Sequence, residues 1–472
     1  MGQEARTAVL EGGVTVAVWS EVSLAGFGTR LRIDPEYYQP RYLELANVLA
    51  SQKPVLLGSL AFVTDGIHAS PVFDSGSGIR YISAKSVRDG FFDLENTEEI
   101  SLELHKANPR TALRVDDVII SSVGTIGFCA VVSADMLPSN CDRHVGIVRI
   151  RDKAQFDPHF LCAFLNSKYG RFQTLREATG NVQLNLFIYS IAKLQIPVLA
   201  KQNQIGDLVR NALTFRRKAA ELYTLASQVF NEHLKIPVPD LGSELSYEAE
   251  IGELIRRERW DSEFYRPKYK RIIKAMLKGK ITKVASMSSA LISLTNGHTP
   301  LRHDLSEGDV TFLTAEHVYD FQIDYESDKR ILSLHHKGEL ARTALKNGDV
   351  LVTIKGKVGN CAIVHGLERP TNVNQDVALL SLQPSVEKHY FSAWLNSNLG
   401  KEMVRQFSTG AINPFLGLGN IRKLPFPIAD PKDSALIAGK VQELVEAGQK
   451  ALAESRRVLR QAVSMVESMI EN

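Results

Sequence analysis

The alternation of apolar and polar positions divides the chain into short strands, compact helices and long helical seams, and that succession occurs twice. After an irregular start with one predicted strand over 14–19, residues 37–51 read as a helix entered through a proline. Residues 55–148 then alternate β-branched and apolar runs with Gly, Asp, Ser and Pro, the pattern of short strands joined by turns. Val118, Ile119 and Ile120 and the run 128–132 predict two strands flanking Gly124-Thr125-Ile126-Gly127. Two glycines at that spacing allow the positive φ values of a tight reversal. Phe160, Phe164, Leu165 and Phe172 give helical spacing over 159–177, and 181–197 reads as a loop, a short helix and an exit strand.

From Gln202 the period changes. Ile205, Leu208, Ala212, Phe215, Ala219, Leu222, Ala226 and Val229 recur at spacings of three and four, a heptad seam with polar residues on the other faces. About 25 residues at 1.5 Å each make a rod of roughly 36 Å, stopped by Pro237-Val238-Pro239. A second long helix begins after Pro431, striped by Ile437, Val441, Leu444, Ala451, Val458, Ala462, Met465 and Met469. Pairing the stripes as a two-stranded coiled coil buries both. The alternative is that each helix packs on its own domain; the regular 3.5-residue period favours the pair.

The duplication is explicit. Residues 110–132 align without a gap with 342–364, sharing Arg-Thr-Ala-Leu, Asp-Val, both hairpin glycines and Cys-Ala. The stretch from Arg32 to Tyr42 returns from Arg259 to Tyr269, and Asp65-Gly66-Ile67-His68 faces Asn296-Gly297-His298. Residues 81–84 face 312–315, Pro138-Ser139-Asn140 faces Pro370-Thr371-Asn372, and Leu165-Asn166-Ser167 faces Leu395-Asn396-Ser397. Thr179-Gly180 faces Thr409-Gly410, and 194–197 faces 424–427, at an offset that stays near 230. Two large α+β domains in tandem, each followed by one long helix, are the prediction.

An apolar fraction of 44% and a charged fraction of 23% are those of an ordinary globular protein. No apolar run is long enough to span a bilayer. The start lacks a basic region followed by an apolar core, so no signal peptide is expected and a cytoplasmic location is. Cys129, Cys141, Cys162 and Cys361 form no Cys-x-x-Cys pair, and buried reduced thiols are expected rather than a metal site or disulfide. The net charge of +3 neither requires nor excludes a nucleic-acid partner, since basic residues can gather on one face.

With the order of these pieces laid out, the chain resembles the specificity subunit of Type I restriction–modification systems over almost its whole length. The motifs are a glycine shortly before a proline, at Gly66 and Pro71 and at Gly297 and Pro300, Gly348-Asp349-Val350 before the second hairpin, Gly180-Asn181-Val182-Gln183 running into Ile196-Pro197, and Gln202-Asn203-Gln204-Ile205 opening the long helix. Copy one departs with Asp116 where a glycine is usual, and copy two has Asn413-Pro414 where copy one has Gln183-Leu184. The resemblance implies an α+β chain with a target-recognition domain at 1–200, a spacer helix at 201–236, a second recognition domain at 237–430 and a second spacer helix at 431–472, the two helices antiparallel in a coiled coil. It implies that each domain reads half of a split DNA site. It also implies that two methyltransferase subunits carry S-adenosylmethionine and methylate adenine, that a motor–nuclease subunit can join, and that this chain is not itself an enzyme and holds no cofactor. A rod of about 36 Å nearly equals one turn of B-DNA, consistent with readers facing one side of a duplex.

Residues in matched loops are the candidates for DNA contact, because direct readout needs paired donors and acceptors. They are His68, Lys85, Ser86, Thr125, Arg143, His144, Asn181, Gln183 and Asn185 in copy one. In copy two they are His298, Arg302, Glu316, His317, Lys355, Lys357, Asn374, Gln375 and Asn413. Lys355 and Lys357 at the hairpin tip suit phosphate contact. Matched frames with unmatched side chains, such as Lys85-Ser86 against Glu316-His317, are where two readers would differ; neutral drift gives the same pattern, and turn stabilisation is the alternative for the histidines. Asn413-Pro414-Phe415 lacks the second proline of an adenine-flipping loop, and no glycine-rich cofactor loop precedes it. Asp349 lacks the second acid of a nuclease metal site. A self-contained methyltransferase or nuclease and a protein-interaction adaptor are the competing classes.

Overall fold

The computed structural model describes residues 5–7, 18–22, 32–180, 183–242, 244, 246–300, 308–327, 329–410 and 413–472. The chain divides into two units, Met1–Arg216 with Ala453–Asn472, and Arg217–Leu452.

In the first unit the labelled strands are β1 Ala61–Asp65, β2 Arg80–Ile82, β3 Glu98–Glu99, β4 Val118–Ser121, β5 Cys129–Val131, β6 Ser139–Cys141 and β7 Val145–Ile150. An antiparallel sheet runs β1–β7–β4–β5, and a second sheet runs β3–β2–β6 with β2 and β6 parallel. In the second unit the strands are β8 Leu291–Asn296, β9 Val310–Leu313, β10 Arg330–Ile331, β11 Val350–Thr353, β12 Cys361–Ile363, β13 Thr371–Val373 and β14 Val377–Leu382. The orders are β8–β14–β11–β12 and β10–β9–β13, with β9 and β13 parallel. The two units therefore share one topology, as the repeat predicts. Alternate residues of β4 serve two cores: Val118 and Ile120 face the helices, Ile119 faces the second sheet, and all three are fully buried.

The hairpin glycines do what the sequence requires. Gly124 and Gly127 have φ of +77° and +81°, and Gly356 and Gly359 have +75° and +91°. The second glycine of each pair is also pressed on a helix: a Cβ on Gly127 would meet Thr174 Oγ1 at 2.1 Å, and one on Gly359 would meet Val404 Cγ1 at 2.6 Å. Asp116 holds φ +71° where Gly348 holds +90°, so the departure noted in copy one keeps the left-handed turn with an aspartate.

The helices of the first unit are α1 Pro40–Ser51, α2 Pro158–Asn166 and α3 Lys168–Glu177; those of the second are α4 Pro267–Lys278, α5 Lys388–Asn396 and α6 Asn398–Phe407. The single helix expected over 159–177 is two. Ser167 is extended, with φ −72° and ψ 165°, and its hydroxyl accepts the Gly170 N–H; Ser397 repeats this on Gly400. The break places Asn166 and Asn396 at a helix end facing the outer edge of the hairpin sheet. Asn166 Oδ1 accepts the Cys129 N–H at 3.2 Å and its Nδ2 donates to the Cys129 carbonyl at 2.9 Å. Asn396 makes the same two bonds with Cys361, at 3.0 and 2.7 Å. The asparagine thus shares that strand edge with a backbone donor, since the Cys129 carbonyl also accepts the Gly90 N–H at 3.0 Å and the Cys361 carbonyl the Phe321 N–H at 2.9 Å.

The long central helix spans Gln202–His233, 32 residues, and the terminal helix Pro431–Glu471, 41 residues. Within the first unit Ser455 Oγ donates to the Ala212 carbonyl at 2.7 Å, and Ile205 and Val209 share a core with Ala462, Val466 and Ile470. That core also holds residues of α2 and β4, and Arg210 bonds Asp157 at the start of α2 at 2.9 Å. Within the second unit His233 meets Asp433 at 2.8 Å, while Val229 and Phe230 pack with Ile437, Val441 and the residues of α5. In each unit the helical segments share one core with each other and with the domain. The helical seam is also longer than the sequence count, because it continues past Val229 into Phe230.

The four cysteines are free and buried, with Cys129 and Cys162 sulfurs 3.8 Å apart, and burial pushes the thiols of Cys129, Cys141 and Cys361 up. Of the strand predicted at 14–19, the part described is Val18–Ser20, paired with Ala5–Thr7; residues 14–17 lie outside the described residues. Among the described residues no helix is long and apolar enough to cross a membrane.

Asn396→Ala removes both bonds and strands the Cys361 N–H in a buried site. A loss of about 2–4 kcal/mol is expected by chemical denaturation of the purified chain, and Asn166→Ala should act in the same direction. His365 and His389 stack 5.8 Å apart, and burial, with the neighbouring His365, lowers His389 to about 4. A folded histidine depressed below its unfolded value leaves the unfolded chain holding more protons in between. Its stabilising contribution is present above about pH 6.5 and lost as pH falls towards 4. His389→Asn should flatten the fall in thermal midpoint across that window; an unchanged slope would assign the dependence elsewhere.

Candidate nucleic-acid interface

Because β2 runs parallel to β6, the turn after β2 and the loop after β6 emerge at the same end of the first unit. The Asp142 N–H donates to the Ile82 carbonyl at 3.0 Å, and the Ile67 N–H to the Cys141 carbonyl at 2.8 Å. The hairpin tip joins them: Ser122 N–H donates to the His144 carbonyl at 3.0 Å, and Leu186 N–H donates to the Ser122 carbonyl at 2.8 Å. Thr179 and Asn185 close the last loop with bonds of 2.9 and 2.8 Å. Five loops are therefore tied by backbone bonds into one surface. The second unit repeats the ties: Ile354 N–H to Asp376 O at 2.9 Å, Leu416 N–H to Ile354 O at 2.9 Å, and Thr409 with Phe415 at 2.9 and 2.8 Å. Rigid backbone and variable side chains are the arrangement expected of a recognition surface.

On the first surface Lys85, Thr125, Arg143 and Gln183 are exposed. His68 is exposed and its Nε2 lies 2.5 Å from Asp65 Oδ2. Burial would raise the Asp65 carboxyl, but bonds from His68 and Arg110 outweigh it and hold the group below its ordinary value. His144 is half-buried with Nδ1 2.9 Å from Asp142 Oδ2, and Asn185 Nδ2 donates to the Gln183 carbonyl at 3.1 Å.

On the second surface Glu316, Lys355, Gln375 and Asn413 are exposed, and Lys357 lies 5.5 Å from the Tyr319 ring centre. Gln375 Oε1 accepts from Thr299 Oγ1 at 2.7 Å, and Glu316 has Lys329 at 4.0 Å. His298 Nε2 lies 3.3 Å from Glu339, which also meets His335 at 2.6 Å; these two histidines hold the Glu339 carboxyl below its usual range.

Three candidates have other tasks. Ser86 is 0% exposed, and its Oγ accepts the Ser83 N–H at 3.0 Å in a reciprocal cap. His317 takes the same place in copy two, with Nδ1 accepting the Thr314 N–H at 3.1 Å, and burial lowers its pKa. Asn374 is buried and spends its amide on Asp376, with Nδ2 2.9 Å from Oδ2. In the chain alone these side chains bond within their own loops. Asn181 and Arg302 lie outside the described residues.

Asn413-Pro414-Phe415-Leu416 has the backbone bonds of residues 183–186, so it is the same loop in the second copy. Among the described residues no group of three or more His, Cys, Asp or Glu side chains is placed to hold a metal ion. Sequence reasoning passed over Arg110, whose Nη1 also bonds the Thr64 hydroxyl and ties the His68 loop to the residues before β4. Its place in the identical Arg-Thr-Ala-Leu of both copies was the available signal. It also passed over Lys401, whose Nζ lies 3.0 Å from both the Gly359 carbonyl and Asn360 Oδ1, beneath the hairpin turn.

No family model matches the chain. Among curated proteins it is 25% identical over 175 residues to the Type I restriction enzyme EcoBI specificity subunit of Escherichia coli, a match covering 36% of this chain and 34% of that protein. The chain thus spans about a third of the length of the curated relative it matches. Among solved structures, the S subunit of a Type I restriction–modification system from M. genitalium is 13% identical, with a TM-score of 0.35 and coverage of 88% of this chain and 94% of that one. The HsdS subunit from Thermoanaerobacter tengcongensis is 15% identical, with a TM-score of 0.27 and coverage of 89% and 96%. In sequence, this chain is similar to a Type I restriction enzyme specificity subunit.

Proposed function

We propose that this chain is a non-catalytic DNA-recognition subunit that directs adenine methylation and restriction to a split site. In this reading residues 1–200 and 237–430 are two target-recognition domains, and 201–236 and 431–472 are antiparallel spacer helices paired as a coiled coil. The subunit acts in the cytoplasm with two methyltransferase subunits, which bring S-adenosylmethionine, and with motor–nuclease subunits where restriction occurs. The observation that carries the reading is one loop framework, tied by the same backbone bonds, bearing different side chains in the two units. Thr125 stands opposite Lys357, Arg143 opposite Gln375, and Gln183 opposite Asn413. A duplicated frame with divergent polar tips suits two different half-sites.

The lysines give the reading a quantitative test. Lys355 and Lys357 are assigned to phosphates, so each alanine replacement should weaken binding to all duplexes alike. Each should also reduce the slope of log affinity against log salt by about 1. Gel shifts of the full chain on a pooled random duplex library across a salt series read both quantities. An unchanged slope removes the lysines from the interface, and no binding at any salt removes the function. The isolated chain should transfer no methyl group from S-adenosylmethionine until its partner subunits are added.

A further inference from the structure

Each unit has a cleft beside its first helix, and the two copies fill it differently. In the first unit the cleft is about 110 Å³ and is lined by Tyr37, Tyr42, Arg176, Glu177 and Lys193 among others. The Arg176 guanidinium lies 4.0 Å from the Tyr37 ring centre, and its Nε donates to the Tyr37 carbonyl at 2.9 Å. The Tyr37 hydroxyl donates to Glu177 Oε1 at 3.0 Å. The counterparts Phe264, Tyr269, Gln406, Phe407 and Lys423 line the cleft of the second unit. Gln406 Nε2 keeps the bond of Arg176, donating to the Phe264 carbonyl at 2.9 Å, but brings no guanidinium over the ring. Phenyl rings stand where copy one has the Tyr37–Glu177 bond. Arg257 lies farther out, 5.6 Å from the Phe264 ring centre. This cleft is about 500 Å³, and it adjoins a second cavity of about 350 Å³ that shares Arg257, Phe264, Ser286, Phe407 and Lys423 with it. The two make one groove within the second unit.

The groove has an apolar floor and a cationic rim. Phe264, Ile273, Val284, Phe407 and Pro425 are its buried and half-buried apolar residues. Seven arginines and lysines line it against two carboxylates, Glu253 and Glu258. Glu253 already meets Arg257 at 3.1 Å and Lys270 at 3.4 Å. Arg259 and Arg266 pair with Asp261 at 2.6 Å and Glu263 at 3.2 Å. Arg256, Lys274 and Lys423 are exposed and have no ion-pair partner among the described residues. A surplus of positive charge above a concave apolar surface attracts a ligand that is acidic and carries an apolar group.

We propose that this groove of the second unit is a docking site for an acidic peptide segment of a protein partner, with an apolar side chain on the Phe264–Phe407 floor and carboxylates on Lys274, Lys423 and Arg256. Charge complementarity chooses the sign of the partner, and the apolar floor chooses a peptide over a duplex. A duplex carries its phosphates on a convex surface and would leave the floor uncovered. An extended segment instead places side chains in pockets and charges at the rim at once. The first unit offers no equivalent site, because Arg176 and Glu177 occupy the cleft themselves. One chain therefore takes one such segment.

The test measures fluorescence anisotropy of labelled peptide pools with the full chain. One pool has Asp and Glu around a central Phe or Leu, a second has Ser at the centre, and a third has Lys in place of the acids. The native chain should bind the first pool about tenfold more tightly than either control, since both charge and floor are needed. The paired replacement Lys274→Glu with Lys423→Glu reverses two exposed charges and should cost about tenfold. Gln406→Arg brings the guanidinium of copy one onto the floor while keeping the bond to the Phe264 carbonyl. It adds positive charge, yet it should weaken binding about fivefold, because the cavity is filled. Circular dichroism and the thermal midpoint check that each variant folds, and the lysine pair stands as the measure if Gln406→Arg does not. Equal binding of the Ser-centred pool, unchanged or tighter binding by Gln406→Arg, or no binding of the first pool would each overturn the proposal. A random duplex should change peptide affinity by less than about twofold, since the recognition loops lie elsewhere on the unit. Displacement of the peptide by that duplex, with loss of duplex affinity in the lysine pair, would assign the groove to DNA instead. Failure of the chain to bind any duplex would remove the recognition role and leave this inference standing.

Discussion

The amide of one asparagine at a helix end governs the form of each unit. Strands β5 and β12 lie at sheet edges, and an edge strand carries backbone donors and acceptors that must be satisfied or left to water. Asn166 and Asn396 meet one residue of each edge with a donor and an acceptor from the same side chain, beside the Gly90 and Phe321 N–H groups that bond the same carbonyls. That geometry works only if the helix stops there, and Ser167 and Ser397 stop it by capping the next helix. The next helix then descends on the hairpin at Gly127 and Gly359, where any side chain would collide with Thr174 or Val404. A half-buried cation lies beside the contact, Lys401 in one unit and Arg171 in the other, the latter with its guanidinium 3.8 Å from the Phe128 ring centre. The hairpin tip is fixed by these contacts, and the loops tied to it are fixed in turn.

Much of this was legible in the residue order. The duplicated Leu-Asn-Ser is the helix break and the strand clasp together, and the duplicated glycines are the hairpin. The aspartate in place of glycine before β4 is a left-handed turn retained by a residue that tolerates it. What periodicity could not supply was the break itself. Apolar residues on both sides of Ser167 keep helical spacing across it, because α2 and α3 pack on the same core, so the pattern reads as one helix. The central seam was likewise cut short, since past Val229 the helix buries Phe230 in the second unit's core, outside the heptad register.

The site was legible as a set of loops and less so as a set of side chains. Ser86 and His317 differ between the copies, and difference within a shared frame suggested readers. The frame at that turn asks only for an acceptor facing the N–H three residues back, which a serine hydroxyl and an imidazole nitrogen both supply. Divergence there reflects two solutions to one capping problem. Asn374 is the opposite case: it reads as a donor–acceptor side chain at a loop tip, and its amide bonds Asp376 inside the loop.

This separates two kinds of variation that a sequence presents identically. Where side chains differ but each satisfies a backbone group, the difference concerns the frame. Where they differ and neither alternative is demanded by packing or by φ, the frame is indifferent to the exchange. Lys85 against Glu316 and Arg143 against Gln375 are exposed exchanges of the second kind. A duplicated domain therefore carries its own control: subtracting one copy's structural obligations from the other leaves the residues free to meet a partner, with no need for a third sequence.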